Sequence, residues 1–295
     1  MSAVEADVAL VSSPQGVSRK PFIQRPGVLT TLFLMPAALL LVVFLIIPLS
    51  VTVWMSLSPN VLVKFQGHTF ANYTYVFGRS YYIQVLWRTV RIAAETSSIA
   101  FLLGYPAALA LRYVPPALSN AFVLAVTLPV LCGPLVVILG WMILLSRGGP
   151  LGSLVGDLQL LGSEWGIVVA QVHFLLPFVV LSLVNVLHGI PDELLDAARS
   201  LGAGPVRRFL RIILPLSLPG ILSALIIGFS LATGAFVAPH YLGGPGDLTL
   251  ATLISQFVMA TFNGQLAATV SILLLAVMSA AIFTLTIVLS WKMRG

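Results

Sequence analysis

Apolar and polar positions in this chain do not mix at short range. They separate into long hydrophobic blocks joined by short polar stretches. Six blocks stand out, at about 29–56, 86–112, 119–145, 166–188, 214–239 and 265–291. Each exceeds the roughly 20 residues that an α-helix needs to cross the hydrocarbon of a bilayer. Helices are expected because lipid offers backbone groups no outside partner. The pattern predicts an all-α, polytopic transmembrane bundle of six spans. Pro36, Pro48, Pro106, Pro129, Pro177 and Pro219 fall inside the blocks and predict kinks or local unwinding. Bent packing helices explain such prolines as well as functional hinges do. Residues 248–262 are apolar but short, between Gly243-Gly244-Pro245-Gly246 and Asn263-Gly264. They predict an outer-face or partly inserted helix, because a seventh crossing would put Lys292 and Arg294 on the wrong side.

Composition strengthens this picture. Hydrophobic residues make up 59% of the chain and charged residues 8%, against roughly 25% charged in a typical soluble protein, which leaves too few charges to coat a soluble surface. The net charge of +6 does not point to nucleic acid, because Lys and Arg sit mostly between the hydrophobic blocks. With the N-terminus inside, the inner segments hold Arg19, Lys20, Arg25, Arg112, Arg199, Arg207, Arg208, Arg211, Lys292 and Arg294. The outer side holds Lys64, Arg79 and Arg147, with Arg88 and Arg91 at the mouth of the second span. That asymmetry predicts cytoplasmic termini in a bacterial inner membrane. Residues 1–27 read as a cytoplasmic tail and 28–295 as the membrane domain. The run from Leu29 to Trp54 is too long for a signal core and lacks a clear small-residue cleavage site, so an uncleaved anchor is expected. Cys132 is the only cysteine, which excludes an internal disulfide and a multi-cysteine metal site. Neither G-x-x-x-x-G-K-[ST] nor H-E-x-x-H occurs, and His68, His173, His188 and His240 lack ligand spacing. The sequence thus predicts no phosphate-binding loop, no metal site and no enzymatic centre in this chain.

The loop at 189–215 carries the most specific pattern. Pro191 followed by Asp192 and Glu193 opens a helix, with carboxylates where the helix dipole favours them. Gly202 and Gly204 break it, and Pro205 can open a second helix carrying Arg207, Arg208, Phe209 and Arg211. The result is an elbow on the inner face. Leu194, Leu195, Leu201 and Phe209 are apolar residues on that loop and call for a cover. An interfacial amphipathic hairpin is one reading.

A resemblance supplies another. Asp196-Ala197-Ala198, three residues, Gly202, nine residues, then Ile212-Ile213-Leu214-Pro215 resembles the EAA loop of ABC importer permeases. The family pattern is Glu-Ala-Ala, three residues, Gly, nine residues, Ile-x-Leu-Pro. One position departs, Asp196 for Glu, keeping the charge with a shorter reach. The resemblance implies a type I ABC importer permease fold. It also implies that residues 194–198, 201–203, Phe209 and Pro215 form a coupling helix seated in an ATP-hydrolysing subunit. Small Ala197, Ala198, Gly202 and Ala203 would let a partner approach the backbone, while Leu194, Leu195, Leu201 and Phe209 supply apolar area. Implied partners are two ATP-binding subunits that hold ATP and Mg, a second homologous permease, and an extracytoplasmic binding protein.

Weaker stretches extend the likeness. Leu103-Gly104-Tyr105-Pro106, Phe236-Val237-Ala238-Pro239 with Leu242-Gly243-Gly244-Pro245, and Asn263-Gly264-Gln265-Leu266 resemble segments of spermidine/putrescine-type permeases. The implied cargo is a polyamine or related small amine, although relatives also carry aminophosphonates, metal chelates or anions. Polar residues at membrane depth are the candidate pore or cargo contacts: Glu95, Trp141, Gln171, His173 and Asn185. Each has a packing alternative. Glu95 can pair with Arg91 one turn away, and the others can hydrogen-bond between helices. Ala100, Gly104 and Ala108 recur every fourth residue and predict close helix packing. An ion-coupled transporter is disfavoured by the lack of a clear internal repeat, and a membrane enzyme by the lack of a nucleophile–base constellation.

Overall fold

The computed structural model describes residues 26–59, 70–154 and 160–294, among which there are helices and no strand. The tail bearing Arg19, Lys20 and Arg25, together with Lys64 and His68, lies outside the described residues. The chain divides into two units, residues 1–51 and 52–295. The described part of the first is most of α1 (Pro26–Ser56), an apolar helix with Pro36 and Pro48 inside it.

Among its described residues, the second unit holds the end of α1, thirteen further α-helices and one π-helical turn. In chain order they are α2 (Ala71–Phe77), α3 (Ser80–Leu111), α4 (Pro116–Cys132), α5 (Pro134–Leu145), α6 (Pro150–Leu154) and α7 (Glu164–His188). There follow α8 (Asp192–Ser200), α9 (Pro205–Arg208), a π-helical turn (Phe209–Ile213), α10 (Leu214–Leu216), α11 (Leu218–Thr233), α12 (Val237–Leu242), α13 (Leu250–Met259) and α14 (Gly264–Arg294). Among the described residues, five helical stretches are long and apolar enough to cross a membrane: Phe33–Ser56, Ser80–Leu111, Pro134–Ser153, Glu164–His188 and Gly264–Ile287. A sixth is added when Pro205–Leu216 and Leu218–Thr233, bent by 63°, are taken as one broken span.

Two of the six expected blocks are not continuous helices. The block at 119–145 breaks at Gly133, whose φ of 79° lies in the left-handed region that glycine tolerates. Pro134 then restarts the helix, at the position where its missing N–H costs nothing. The block at 214–239 bends at Ser217 and ends at Thr233. Pro219 has no N–H to offer the carbonyl of Pro215, four residues back, so the ladder loses a rung where the chain turns.

The core forms where α3, α7 and α11 meet. Ala100 and Ala108 are fully buried, and a Cβ on Gly104 would lie 2.8 Å from Val179 Cγ1 of α7. The small-residue stripe is therefore a packing face, as expected. On α11, Gly228 approaches α3 in the same way, with its would-be Cβ 3.3 Å from Ser97 Cβ. Small residues matter here because lipid supplies no hydrophobic drive between helices, so close contact must do the work. A second apolar cluster joins Val76, Tyr82, Val85, Leu250, Phe257, Leu266 and Val270. It docks α13, the ambiguous short segment, onto α14 and the start of α3. The Leu250 N–H donates to Thr89 Oγ1 at 2.9 Å, and a Thr249–Thr252 capping box closes the start of α13.

Candidate functional site

α3 and α7 run in parallel, and each end of the pair carries a polar cluster. Where the first turn of α7 meets α3, the Arg91 guanidinium grips the Glu164 carboxylate, with Nε donating to Oε1 at 3.1 Å and Nη2 to Oε2. Glu95 lies farther away, 3.8 Å from Arg91 Nε. The expected Arg91–Glu95 pair is therefore secondary. Glu164, missed in the sequence because it sits in the polar joint before a span, is the principal partner. Its position in the first turn of α7 suits a carboxylate. Arg88 reaches the Gly246 carbonyl, and Asp247 Oδ2 accepts the Gly244 N–H at 3.0 Å. This end of the bundle is thereby tied to the loop after α12.

At the other end, Arg112 follows α3 with a side chain only 6% exposed. It donates to the carbonyls of Leu187 and Ile190 (2.7 Å to Ile190) and to Asp192 Oδ1. A single side chain thus binds a carbonyl in the last turn of α7 and one in the link beyond it, and holds the first residue of α8. The sequence assigned Arg112 only an orienting charge.

The expected two-helix elbow is present. α8 ends in a Schellman motif: Gly202, at φ +80°, donates to the Arg199 carbonyl, and Ala203 donates to that of Ala198, both at 2.9 Å. A Cβ at Gly202 would meet nothing within 4 Å. Leu201 is 88% exposed and Val206 70%, with Leu194 and Leu210 also exposed. Asp196 and Ala197 are exposed, and Ala198 and Ala203 half-buried. Gly204, Pro205, Val206 and Leu210 line an open groove beside them with Arg207 and Arg211.

The expectation that four apolar residues point outward divides, because the helical period puts some of them inward. Leu195 is buried with Leu187, Ile190 and Ile213, where it anchors the elbow to the bundle. Phe209 packs edge-on against the Tyr105 ring, with centroids 6.0 Å apart. Leu194 and Leu201 remain outside. Pro215 is exposed in the bent segment. Tyr105 OH shares a 2.9 Å hydrogen bond with Ser217 Oγ at the bend, so a rigid chain of contacts runs from the elbow through the π-helical turn into α11.

The five candidate pore residues do not converge. Trp141 Nε1 donates to His173 Nδ1 at 2.9 Å, and both rings line an open groove with Cys132 and Pro129. Gln171, 4% exposed, lines a separate cavity of about 220 Å³ and accepts from Thr96 Oγ1 at 3.3 Å. Glu95 belongs to the Arg91 cluster. Asn185 is exposed on α7 and joins none of these groups. His188 bonds back to the Val184 carbonyl of its own helix.

Residues 100–295 match the family described as binding-protein-dependent transport system inner membrane component. The chain belongs to this family. It is thus an inner-membrane permease of an ABC importer. The spermidine/putrescine transport system permease protein PotB of Haemophilus influenzae is 31% identical over 222 residues, covering 73% of this chain and 77% of that protein. Among solved structures, the bacterial alginate ABC transporter in complex with an alginate pentasaccharide-bound periplasmic protein includes a chain with a TM-score of 0.75 at 17% identity, covering 92% of this chain and 97% of that one. A chain of the inward-facing MetNI methionine ABC transporter gives 0.58 at 21% identity, covering 71% and 95%. At these identities the two structures speak for the fold. The elbow joins Glu164–His188 to the broken span Pro205–Thr233, and the bend at Ser217 sits where the elbow enters the bundle.

Proposed function

We propose that this permease forms half of the translocation path for a small aliphatic amine of the spermidine/putrescine type. In this reading a second, homologous permease provides the other half, a binding protein delivers the amine from outside, and two ATP-binding subunits drive the cycle. The α8–α9 elbow is the seat of one of those subunits. ATP and Mg are held there and not by this chain.

The observation that carries the reading is the elbow's exposed face. Leu194, Leu201 and Val206 leave apolar area uncovered around a left-handed glycine whose Cβ position is open. Isolated apolar residues on a surface need no explanation, but three on one short helical hairpin support an interaction site. The elbow is also firmly mounted, by Arg112, Leu195 and the Tyr105–Phe209–Ser217 contacts. A push on α8 therefore reaches α11 with little lost in slack. Arg199, Arg207, Arg208 and Arg211 on the elbow support a cytoplasmic position for it, since Lys and Arg are in excess on the inner side. The Arg91–Glu164 end then faces outward, and both termini lie inside. The amine assignment rests on the likeness to PotB.

The test is ATP-driven uptake of labelled spermidine and putrescine by vesicles holding this chain with its partner permease, its ATPase and its binding protein. Saturable uptake that stops without ATP is expected. A cysteine at Leu201, introduced into a Cys132→Ser background, should crosslink to the ATPase. Absence of that crosslink, in a transporter that still works, would remove the elbow from its assigned role.

A further inference from the structure

The half-open cavity beside Gln171 is lined by α5, α7 and the stretch from Leu231 to Ala238. Three helix ends meet there: α5 begins at Pro134, α11 ends at Thr233, and α12 begins at Val237. Breaks of this kind at membrane depth persist only where the backbone lines a cavity or is buried in protein. At about 220 Å³, the space is smaller than the ~300 Å³ where drug-sized pockets begin. It suits a small solute or one end of a longer one.

The walls are Pro134, Ile138, Phe174, Leu175, Leu231 and their neighbours. Gln171 is the only lining residue with a polar side chain. Its amide is 96% buried, being 4% exposed. Thr96, itself fully buried, donates to Oε1 at 3.3 Å, and Nε2 has no hydrogen-bond partner. A buried amide with an unused hydrogen-bonding group is costly unless something fills the site. The Thr96 bond uses one lone pair of Oε1 and leaves the other for a donor in the cavity. The C-terminal end of α11 lines the same space through Leu231, Ala232 and Gly234, and helix C-termini carry partial negative charge.

We propose that this cavity is a binding station for the cargo amine within the permease, with Gln171 as its specificity-determining contact. Gln171 Oε1 accepts a hydrogen bond from the ammonium, the end of α11 supplies favourable potential, and the Ile138, Phe174 and Leu231 side chains pack the methylenes. Phe174 also offers an aromatic face to the cation. No carboxylate lines the cavity. Retention is accordingly weak, as transit requires: favourable enough to enter, loose enough to leave. Gln171 lies seven residues into α7 from Glu164, about two turns below the end assigned to the outside. An amine released by a binding protein would meet this site early.

This proposal rests on the amine-importer reading and adds its site. The test uses the complete transporter in lipid nanodiscs, with equilibrium binding of tritiated putrescine measured in the absence of the binding protein. Gln171→Leu, which removes the amide at nearly constant volume, should weaken binding about tenfold or more. Gln171→Glu should tighten it by a similar factor, an effect that a folding defect cannot produce. Leu231→Trp, at a position 40% exposed and so with room to adjust, should exclude spermidine more than putrescine. Amine uptake by the wild-type transporter, together with unchanged putrescine binding in Gln171→Leu or no tightening in Gln171→Glu, overturns the station and leaves the importer reading standing. A wild-type transporter that takes up neither amine overturns both.

Discussion

Gly202 gives the sharpest separation between what this chain needs and what its partner needs. Its φ of +80° closes α8, and the Schellman pair to Arg199 and Ala198 depends on that conformation. An L-residue pays about 1–2 kcal/mol to sit in the left-handed region, and Asn pays less than Ala because its side chain tolerates that conformation. Nothing in this chain lies within 4 Å of a Cβ at Gly202. In the isolated permease, then, Gly202→Ala and Gly202→Phe should cost the same 1–2 kcal/mol, and Gly202→Asn less. Any further penalty for Phe must come from a second protein close to that backbone. Insertion and melting of the purified variants report the first cost; co-purification of the ATPase and ATP-driven uptake report the second. We expect Asn and Ala to keep substantial uptake, and Phe to be inserted and folded like Ala yet to lose the ATPase and transport. If Phe and Ala transport equally well, the assignment of the elbow as an ATPase seat is wrong.

Other substitutions probe the frame around the elbow. Gly104→Val places a branched side chain where Val179 Cγ1 already lies 2.8 Å from the Cβ position; overpacking of this kind should destabilise the bundle by about 1–3 kcal/mol, measurable as a lower melting temperature in detergent. Arg112→Leu should leave the Leu187 and Ile190 carbonyls without their donor, at a cost of about 1–3 kcal/mol. It should also raise the ATP consumed per solute imported, because α8 loses its tie to the end of α7. Arg91→Gln and Glu164→Gln should each loosen the start of α7, and in a double-mutant cycle the two should show a coupling of about 0.2–1 kcal/mol, since Arg91 is partly exposed. A matching cycle between Arg91 and Glu95 should give less.

The elbow was legible in the sequence because its determinants are local. Pro191, the paired acids, Gly202 and Pro205 mark helix starts and stops within a few residues of each other, and the structure places α8, its left-handed cap and α9 at those marks. The Ala100–Gly104–Ala108 stripe was legible for the same reason, since a four-residue period defines one helix face. Inward and outward positions on the elbow were not. Leu194 and Leu195 are adjacent and chemically alike, yet one is exposed and the other is buried in the core cluster. Which of them faces the bundle depends on how α8 is docked, and Arg112, eighty residues earlier than Asp192 in the chain, fixes that docking.

The sequence by itself determined the class of protein, the number of hydrophobic blocks and the permease loop, because bilayer thickness, missing backbone partners and glycine stereochemistry act on runs of neighbouring residues. Only the tertiary structure decided where the blocks break and which polar groups meet. Gly133 and Ser217 interrupt expected spans, Glu164 displaces Glu95 as the partner of Arg91, and Gln171 parts from Trp141 and His173 despite lying within two residues of His173. Side chains two residues apart on a helix point about 200° apart around its axis, so the two part by helical period, while the packing of other helices against α7 decides which cavity each one enters.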